Sequence, residues 1–268
     1  MKRISRVFGV FFCLVLVISV SAFAAGQESI DVSTVEEGYF TVFYEADAEL
    51  KMKVGVTVHG DTMYYDYIPG NEATYSLTEG DGRYTITLYR NISGTTYKQV
   101  ASEKVSVKME NELAPYLIST TEITFSAEDA VGLKAAELCE GITNDADKIV
   151  AIHNYIAENF RYNFVFAAAV RSGAIKTYVP NTSEALAEQR GVCYDFSALF
   201  AAMCRSQGIP CAMAKGYTDT GYHAWNMVYL NNEWIAVDLT VAVSYKLCHA
   251  ADLSACVASL DAYYDYTF

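Results

Sequence analysis

Hydrophobic and polar residues alternate with a period of two over residues 28–109, which is the pattern of half-buried β-strands. Turn signals such as Glu79-Gly80-Asp81-Gly82 separate the alternating segments, because glycine and aspartate tolerate the backbone angles of tight turns. Strands spaced at roughly 8–12 residues with turns between them predict an Ig-like β-sandwich domain over residues 28–109. Six candidate strands result, at residues 39–46, 51–60, 62–70, 73–80, 82–90 and 97–109.

The periodicity becomes helical after residues 110–125, a segment that we interpret as a linker. Ser126-x-x-Asp129 resembles a capping box ahead of a first helix, and Asn144 opens a second helix with an apolar stripe. His153 lies at the edge of that stripe, and we interpret it as a structural residue. A short helix is expected at residues 184–188. Residues 126–268 are therefore predicted to form a second domain of mixed helices and strands.

A further helix begins within the sequence GVCYDFSALFAAMCRSQGIP, residues 191–210. Gly208 and Pro210 mark its end. Cys193 therefore lies in the first turn, whereas Cys204 lies in the middle of the helix, where we expect it to pack as a small apolar residue. The core-facing stripe of the helix recurs at i, i+3, i+4 and i+7, at Phe196, Leu199, Phe200 and Met203.

Residues 1–24 are predicted to be a secretory signal peptide. Lys2, Arg3 and Arg6 form a positive start, an apolar run follows at residues 7–20, and Ala22-Phe23-Ala24 provides small residues for cleavage. The apolar run is shorter than the about 20 residues that a membrane helix needs, and no other stretch approaches that length. We expect a secreted or cell-surface protein with no membrane span after cleavage.

The chain is acidic, with a formal net charge of −13. Loss of the three positive charges of the signal peptide makes the net charge about −16. Nucleic acids are bound through lysine and arginine side chains that neutralise phosphates, and anionic membranes attract the same residues. The charge therefore argues against both as partners.

Six of the seven cysteines remain after cleavage, and an exported chain could pair them. We consider Cys248 with Cys256 the most plausible disulfide. A pairing of Cys193 with Cys204 or Cys211 is an alternative that would make a thiol enzyme latent. A metal site from Cys248, His249 and Cys256 lacks an obvious further ligand, so we expect no metal and no cofactor.

Cys193 lies at a position that favours the thiolate form of its side chain, because backbone N–H groups and the positive end of the helix dipole face the first turn. A helix N-terminus or a neighbouring imidazolium can lower a thiol pKa from about 8.5 to roughly 3.5–7.5. The N–H of Cys193 can also donate to an oxyanion that forms on a substrate. Cys193 is therefore a candidate nucleophile.

The sequence GYHAWNMVYLNNEWIAVDLT, residues 221–240, supplies a candidate base and a residue that orients it. It is predicted to form two strands joined by a turn at Asn231-Asn232. If Leu230 pairs with Glu233, His223 faces Thr240, and His223 and Asp238 are diagonal neighbours about 7–8 Å apart on one face. Taken singly, His223 could be a structural strand residue and Asp238 a strand-end cap.

These motifs together resemble the transglutaminase-like superfamily, a branch of the papain-like fold. The resemblance rests on GVCYDFSALFAAMCRSQGIPC, on HAW at residues 223–225 and on VDLT at residues 237–240, and it extends over residues 126–240. Leu239 replaces the proline that usually follows the aspartate. The resemblance implies an α+β protein, with a papain-like transglutaminase core preceded by the β-sandwich.

The resemblance also implies a triad in which Cys193 is the nucleophile, His223 the general base and acid, and Asp238 the third member. It leaves the second oxyanion donor open among Trp225, Gln189 and Tyr178.

We therefore expect an exported acyl-transfer enzyme that forms a thioester on Cys193 with a carboxamide or peptide bond. Its substrates are expected to be extracellular or cell-wall polypeptides. The acyl acceptor could be an amine or water, and the sequence leaves this and the oligomeric state open. The alternative is a non-catalytic surface-binding protein that keeps the fold as a scaffold.

Overall fold

The computed structural model describes residues 28–219, 221–245, 253–257 and 263–267. The predicted signal peptide at residues 1–24 lies outside the described residues. Among the helices that are described, none is long and apolar enough to cross a membrane.

The N-terminal region consists of two antiparallel sheets. One sheet has the strand order β1-β2-β5 and the other β4-β3-β6-β7. Each of the six predicted segments overlaps one strand, and β4, β6 and β7 extend beyond their predicted bounds by one to three residues, whereas β1 was missed because its four residues show no clear alternation. The strands are β1 (Glu28–Asp31), β2 (Tyr39–Tyr44), β3 (Met52–Val58), β4 (Asp61–Tyr67), β5 (Ala73–Ser76), β6 (Gly82–Ser93) and β7 (Thr96–Val107).

The two sheets share one apolar core. Alternate residues of each strand point inward, so that Phe40 of β2 and Tyr75 of β5 meet Val54 of β3 and Ile86 of β6 in the same buried cluster. Phe40 and Tyr75 stack with their ring centroids 5.6 Å apart. The period-two pattern of the sequence therefore arises because the residues that face this core alternate with residues that face away from it.

The segment at residues 110–125 is packed rather than free. Its short 3-10 helix, Ala114–Tyr116, is largely buried. The Tyr116 hydroxyl donates to the Thr78 carbonyl oxygen at 2.8 Å, and the Tyr116 ring packs edge-on against Trp234 with centroids 4.7 Å apart. The segment thus contacts both the β region and the sheet of the C-terminal region.

The C-terminal region combines helices with a four-stranded antiparallel sheet of order β12-β11-β10-β13 and a short parallel pair, β8 and β9. Its helices are α1 (Ala130–Leu138), α2 (Asp145–Asn159), α3 (Phe164–Arg171), α4 (Thr182–Glu188), α5 (Cys193–Ser206), α6 (Leu239–Tyr245) and α7 (Leu253–Cys256). Its strands are β8 (Arg161–Tyr162), β9 (Arg190–Gly191), β10 (Cys211–Thr218), β11 (Gly221–Leu230), β12 (Glu233–Val237) and β13 (Tyr263–Thr267). The predicted α+β class with an N-terminal β-rich region is confirmed.

Side-chain caps define the helix starts. Asn144 caps α2 as predicted, and Asn181 caps α4. The reciprocal hydrogen bonds between Ser126 and Asp129 also form, but α1 begins one turn later than a Ser126 cap implies. Asp129 is the N-cap, because its carboxylate accepts the Gly132 N–H at 2.8 Å.

Helix α5 is the centre of the C-terminal core. Its predicted apolar stripe is fully buried, and the helix packs against α1, α2 and the strands β10 and β11. Cys204 is fully buried, as expected. His153 is also buried, which lowers its pKa, and its Nδ1 lies 3.2 Å from the Asn154 amide oxygen, in agreement with a structural role. A rigid, buried α5 fixes the position of its first residue, Cys193.

Candidate active site

Cys193 is the first residue of α5 and is partly exposed. The carboxylate of Asp195 turns back over the helix start and accepts the Val192 N–H at 2.8 Å. Gly191 permits this, because a Cβ at that position would lie 2.6 Å from the Asp195 Cβ. Burial raises the pKa of Asp195. The hydrogen bonds from Tyr178 and Val192 lower it, but their effect is smaller than that of burial. The helix start that holds Cys193 is therefore fixed by its own sequence.

The hairpin of β11 and β12 has the predicted register. Leu230 pairs with Glu233 across the turn residues Asn231 and Asn232, whose φ angles of 54° and 65° suit a tight hairpin turn. The predicted pairing of His223 with Thr240 is wrong, because β12 ends at Val237 and Thr240 already belongs to α6.

Asp238 lies between β12 and α6 and has two partners. Its Oδ2 is 2.8 Å from Nε2 of His223, and its Oδ1 accepts the Thr240 N–H at 2.9 Å. The Asp238 side chain is only 5% exposed. The carboxylate that caps α6 is therefore the same one that orients the imidazole, so the two interpretations of Asp238 hold together.

His223 is held between Asp238 and Cys193. Burial favours the neutral ring, but hydrogen bonds to Asp238 and Cys193 and the charges of both groups raise the pKa of His223 to about 10. Because Asp238 engages Nε2, Nδ1 is the ring nitrogen left for the Cys193 sulfur. The three residues predicted from the sequence are thus brought together, and their contacts favour the protonated form of His223.

The three candidate oxyanion donors lie in different settings. Trp225 is fully buried and stacks on His223, with ring centroids 6.2 Å apart. Gln189 is exposed at the end of α4, where its backbone carbonyl accepts the Arg161 N–H at 3.0 Å. The hydroxyl of Tyr178 donates to the Asp195 carboxylate. Each has a defined structural role, and the identity of the second donor stays a prediction.

Tyr162 and Tyr222 are neighbours of the thiol that were not predicted from the sequence. Desolvation raises the pKa of both hydroxyls, and the charge of Cys193 adds to the effect. Tyr162 pairs with Gly191 in the β8–β9 ladder, and its ring packs against Phe196, one turn beyond Cys193 on α5. A strand of two residues has no detectable period, so no sequence signal pointed to it.

The thiols near the site are unpaired. Cys193, Cys204 and Cys211 are free, so the alternative in which Cys193 is locked in a disulfide with either of them does not hold here. Cys248 and His249 lie outside the described residues, and the predicted bond of Cys248 to Cys256 stays a prediction. Within the described residues, no group of three or more His, Cys, Asp or Glu side chains could hold a metal ion.

Comparison with known proteins supports the resemblance drawn from the sequence. Residues 134–239 match the family model of the Transglutaminase-like superfamily. Over 127 residues the chain is 28% identical to Kyphoscoliosis peptidase of Homo sapiens. This alignment covers 43% of this chain and 18% of that protein. Over 232 residues it is 24% identical to the uncharacterized protein YebA of Bacillus subtilis, and this alignment covers 76% of this chain and 29% of YebA.

The chain thus spans less than a third of the length of these curated relatives. Among solved structures, a cysteine-protease candidate from Cytophaga hutchinsonii aligns over 78% of this chain and 81% of that chain, with 16% identity and a TM-score of 0.42. Residues 134–239 are thus the part of the chain that is similar to the Transglutaminase-like superfamily.

Proposed function

We propose that this transglutaminase-like domain is a cysteine-dependent acyl-transfer enzyme in which Cys193, His223 and Asp238 act as a triad. The observation that supports the proposal is the contact chain at the start of α5. Asp238 binds Nε2 of His223 at 2.8 Å, and His223 hydrogen-bonds to Cys193. A nucleophile, a base and a residue that orients the base are the parts that covalent acyl transfer needs.

In the first half-reaction, the Cys193 thiolate attacks the carbonyl carbon of a carboxamide or peptide. A C–S bond forms, and the π electrons of the carbonyl move to its oxygen, which the Cys193 N–H at the helix start is suited to bind. The tetrahedral intermediate collapses, the C–N bond breaks, and the His223 imidazolium gives its proton to the departing amine. The product is a thioester on Cys193.

In the second half-reaction, a primary amine or water attacks the thioester. Neutral His223 takes the proton of the attacking group, the C–S bond breaks, and the thiolate–imidazolium pair is restored. An amine acceptor gives a cross-link, whereas water gives hydrolysis. Both outcomes use the same triad, so the acceptor is decided by access to the thioester.

The proposed substrates are polypeptides outside the cell. This follows from the signal-peptide pattern at residues 1–24 and from the acidic charge, which disfavours nucleic acid. No cofactor enters the proposed chemistry, because the thiol and the imidazole supply the nucleophile and the proton transfers.

Intact mass spectrometry of the full chain, mixed with blocked glutamine peptides and a primary amine, tests the proposal. We expect an adduct on Cys193 equal to the peptide mass less ammonia, followed by amine-modified or deamidated peptide. Cys193→Ala should abolish both, whereas Cys204→Ala, which removes a buried thiol of α5, should retain them. Turnover by Cys193→Ala, or no adduct and no product across a broad peptide panel with wild type, would support the non-catalytic scaffold instead.

A further inference from the structure

A cluster of four buried or partly buried side chains connects the β region to the start of α5. We call Glu122, Lys215, Tyr194 and Tyr65 the Glu122 cluster. Lys215 Nζ lies 2.9 Å and 3.1 Å from the two carboxylate oxygens of Glu122, and the Tyr194 hydroxyl donates to the same carboxylate. Glu122 is only 8% exposed. The charges are therefore matched at a site that largely excludes water.

Two aromatic rings enclose the ammonium group of Lys215. Nζ lies 5.0 Å from the ring centroid of Tyr65 and 5.2 Å from that of Tyr194, within the range of cation–π attraction. Tyr65 belongs to β4, Glu122 to the segment at residues 110–125, Tyr194 to α5 and Lys215 to β10. Four separate parts of the chain thus meet at one cation.

The cluster borders the triad at two points. Tyr194 directly follows Cys193 in the first turn of α5. Lys215 directly precedes Gly216, which pairs with His223 across β10 and β11. A movement of Tyr194 or Lys215 therefore moves the backbone that carries the nucleophile or the backbone that carries the base.

We infer that the Glu122 cluster is a positioning device that sets the distance between Cys193 and His223, with the β region as part of it through Tyr65. The inference rests on the proposed function. A partly buried ion pair adds little net stability compared with apolar packing, because desolvation offsets the attraction. Its hydrogen bonds do fix geometry, and a nucleophile displaced by about 1 Å can lose roughly a hundredfold in rate.

The test measures the alkylation rate of Cys193 by iodoacetamide at pH 6 and pH 9 in the full chain. Lys215→Met and Glu122→Gln are both expected to slow the reaction at pH 6 by roughly tenfold to a hundredfold, because the thiolate–imidazolium contact is lost. At pH 9 the free thiolate dominates, so the rates should approach that of wild type. Lys215→Arg should recover much of the pH 6 rate, because it keeps the charge.

The two main variants separate positioning from simple electrostatics. If Lys215 acted only through its charge on the thiolate, Lys215→Met would slow the reaction and Glu122→Gln, which leaves the cation unpaired, would speed it. A positioning role slows both. Lys134→Met is the matched control, because it removes the Lys134–Glu137 ion pair on α1, which shares no residue with the cluster, and should leave the rate unchanged.

Tyr194→Phe keeps the ring over Lys215 and removes only the hydroxyl, so it serves if the other variants do not fold. Its pH 6 rate should also fall. Folded variants of Lys215, Glu122 and Tyr194 that keep the wild-type pH profile would overturn this inference and leave the proposed function intact. If wild type itself shows no reactivity at pH 6 that His223→Ala removes, the proposed function fails as well.

Discussion

Asp238 shows how one side chain serves both folding and chemistry. One carboxylate oxygen satisfies the N–H of Thr240 at the start of α6, and the other holds Nε2 of His223. The carboxylate is buried, so its charge acts on the imidazole with little screening by water. The position of the base is thus tied to the end of β12, a well-packed point of the sheet.

Asp238→Asn separates the two tasks. The amide oxygen can still accept the Thr240 N–H, but the negative charge on His223 is lost. Because the pKa of His223 is raised in the folded protein, to about 10, its imidazolium stabilises the fold fully below about pH 6.5 and loses this effect as the pH rises through 10. Wild type should therefore exceed Asp238→Asn in unfolding free energy at pH 6, by on the order of 2 kcal/mol, and by less at pH 10.

Urea unfolding at the two pH values measures this difference. Asp238→Ala provides the comparison, because it also removes the cap of α6 and should cost about 1 kcal/mol more at both pH values. An equal loss for Asp238→Asn at pH 6 and pH 10 would show that the charge of Asp238 does not support the imidazolium.

At the scale of elements, the short β9 strand and the start of α5 form one unit. Gly191 is required there by close approach rather than by an unusual backbone angle. The Asp195 carboxylate occupies the space where a Cβ would stand and caps the Val192 N–H. Cys193 follows directly, so its placement depends on a contact between a strand and the helix that it leads into.

Gly191→Ala should therefore destabilise the protein by about 2 kcal/mol, through overpacking and loss of the Asp195 cap. Chemical denaturation of Gly191→Ala, Asp195→Ala and the double variant measures it. The two losses should not add fully, because both single variants lose the Asp195 cap, although the 2.6 Å contact with the Cβ of residue 195 remains in the double variant. Strictly additive losses would mean that the glycine is needed for another reason.

Local periodicity explains which elements the sequence could predict. A pattern within a few neighbouring residues is enough to predict the six alternating strands, the apolar stripe of α5 and the Asn231-Asn232 hairpin. Helix α3 and the two-residue strands β8 and β9 carry no such signal. The end of β12 at Val237 also escaped prediction, because the strand pattern gave no reason for a helix to begin at Leu239.

At the scale of the whole molecule, the β region and the C-terminal region are joined by specific contacts. Thr74 and Ser76 of β5 hydrogen-bond to the segment at residues 110–125, and Tyr65 of β4 covers Lys215. The sequence marked residues 110–125 as a linker, because their composition resembles a loop. The burial of Glu122 and Tyr116 depends on partners far away in the chain, which no local pattern encodes.

The central claim is that Cys193 and His223 form a reactive thiolate–imidazolium pair. The most direct test is the alkylation rate of Cys193 from pH 4 to pH 9, in wild type and in His223→Ala. We predict rapid reaction of wild type near about pH 6, and loss of this low-pH reactivity in His223→Ala. A thiol that reacts only above about pH 8, at the same rate in both proteins, would contradict the claim.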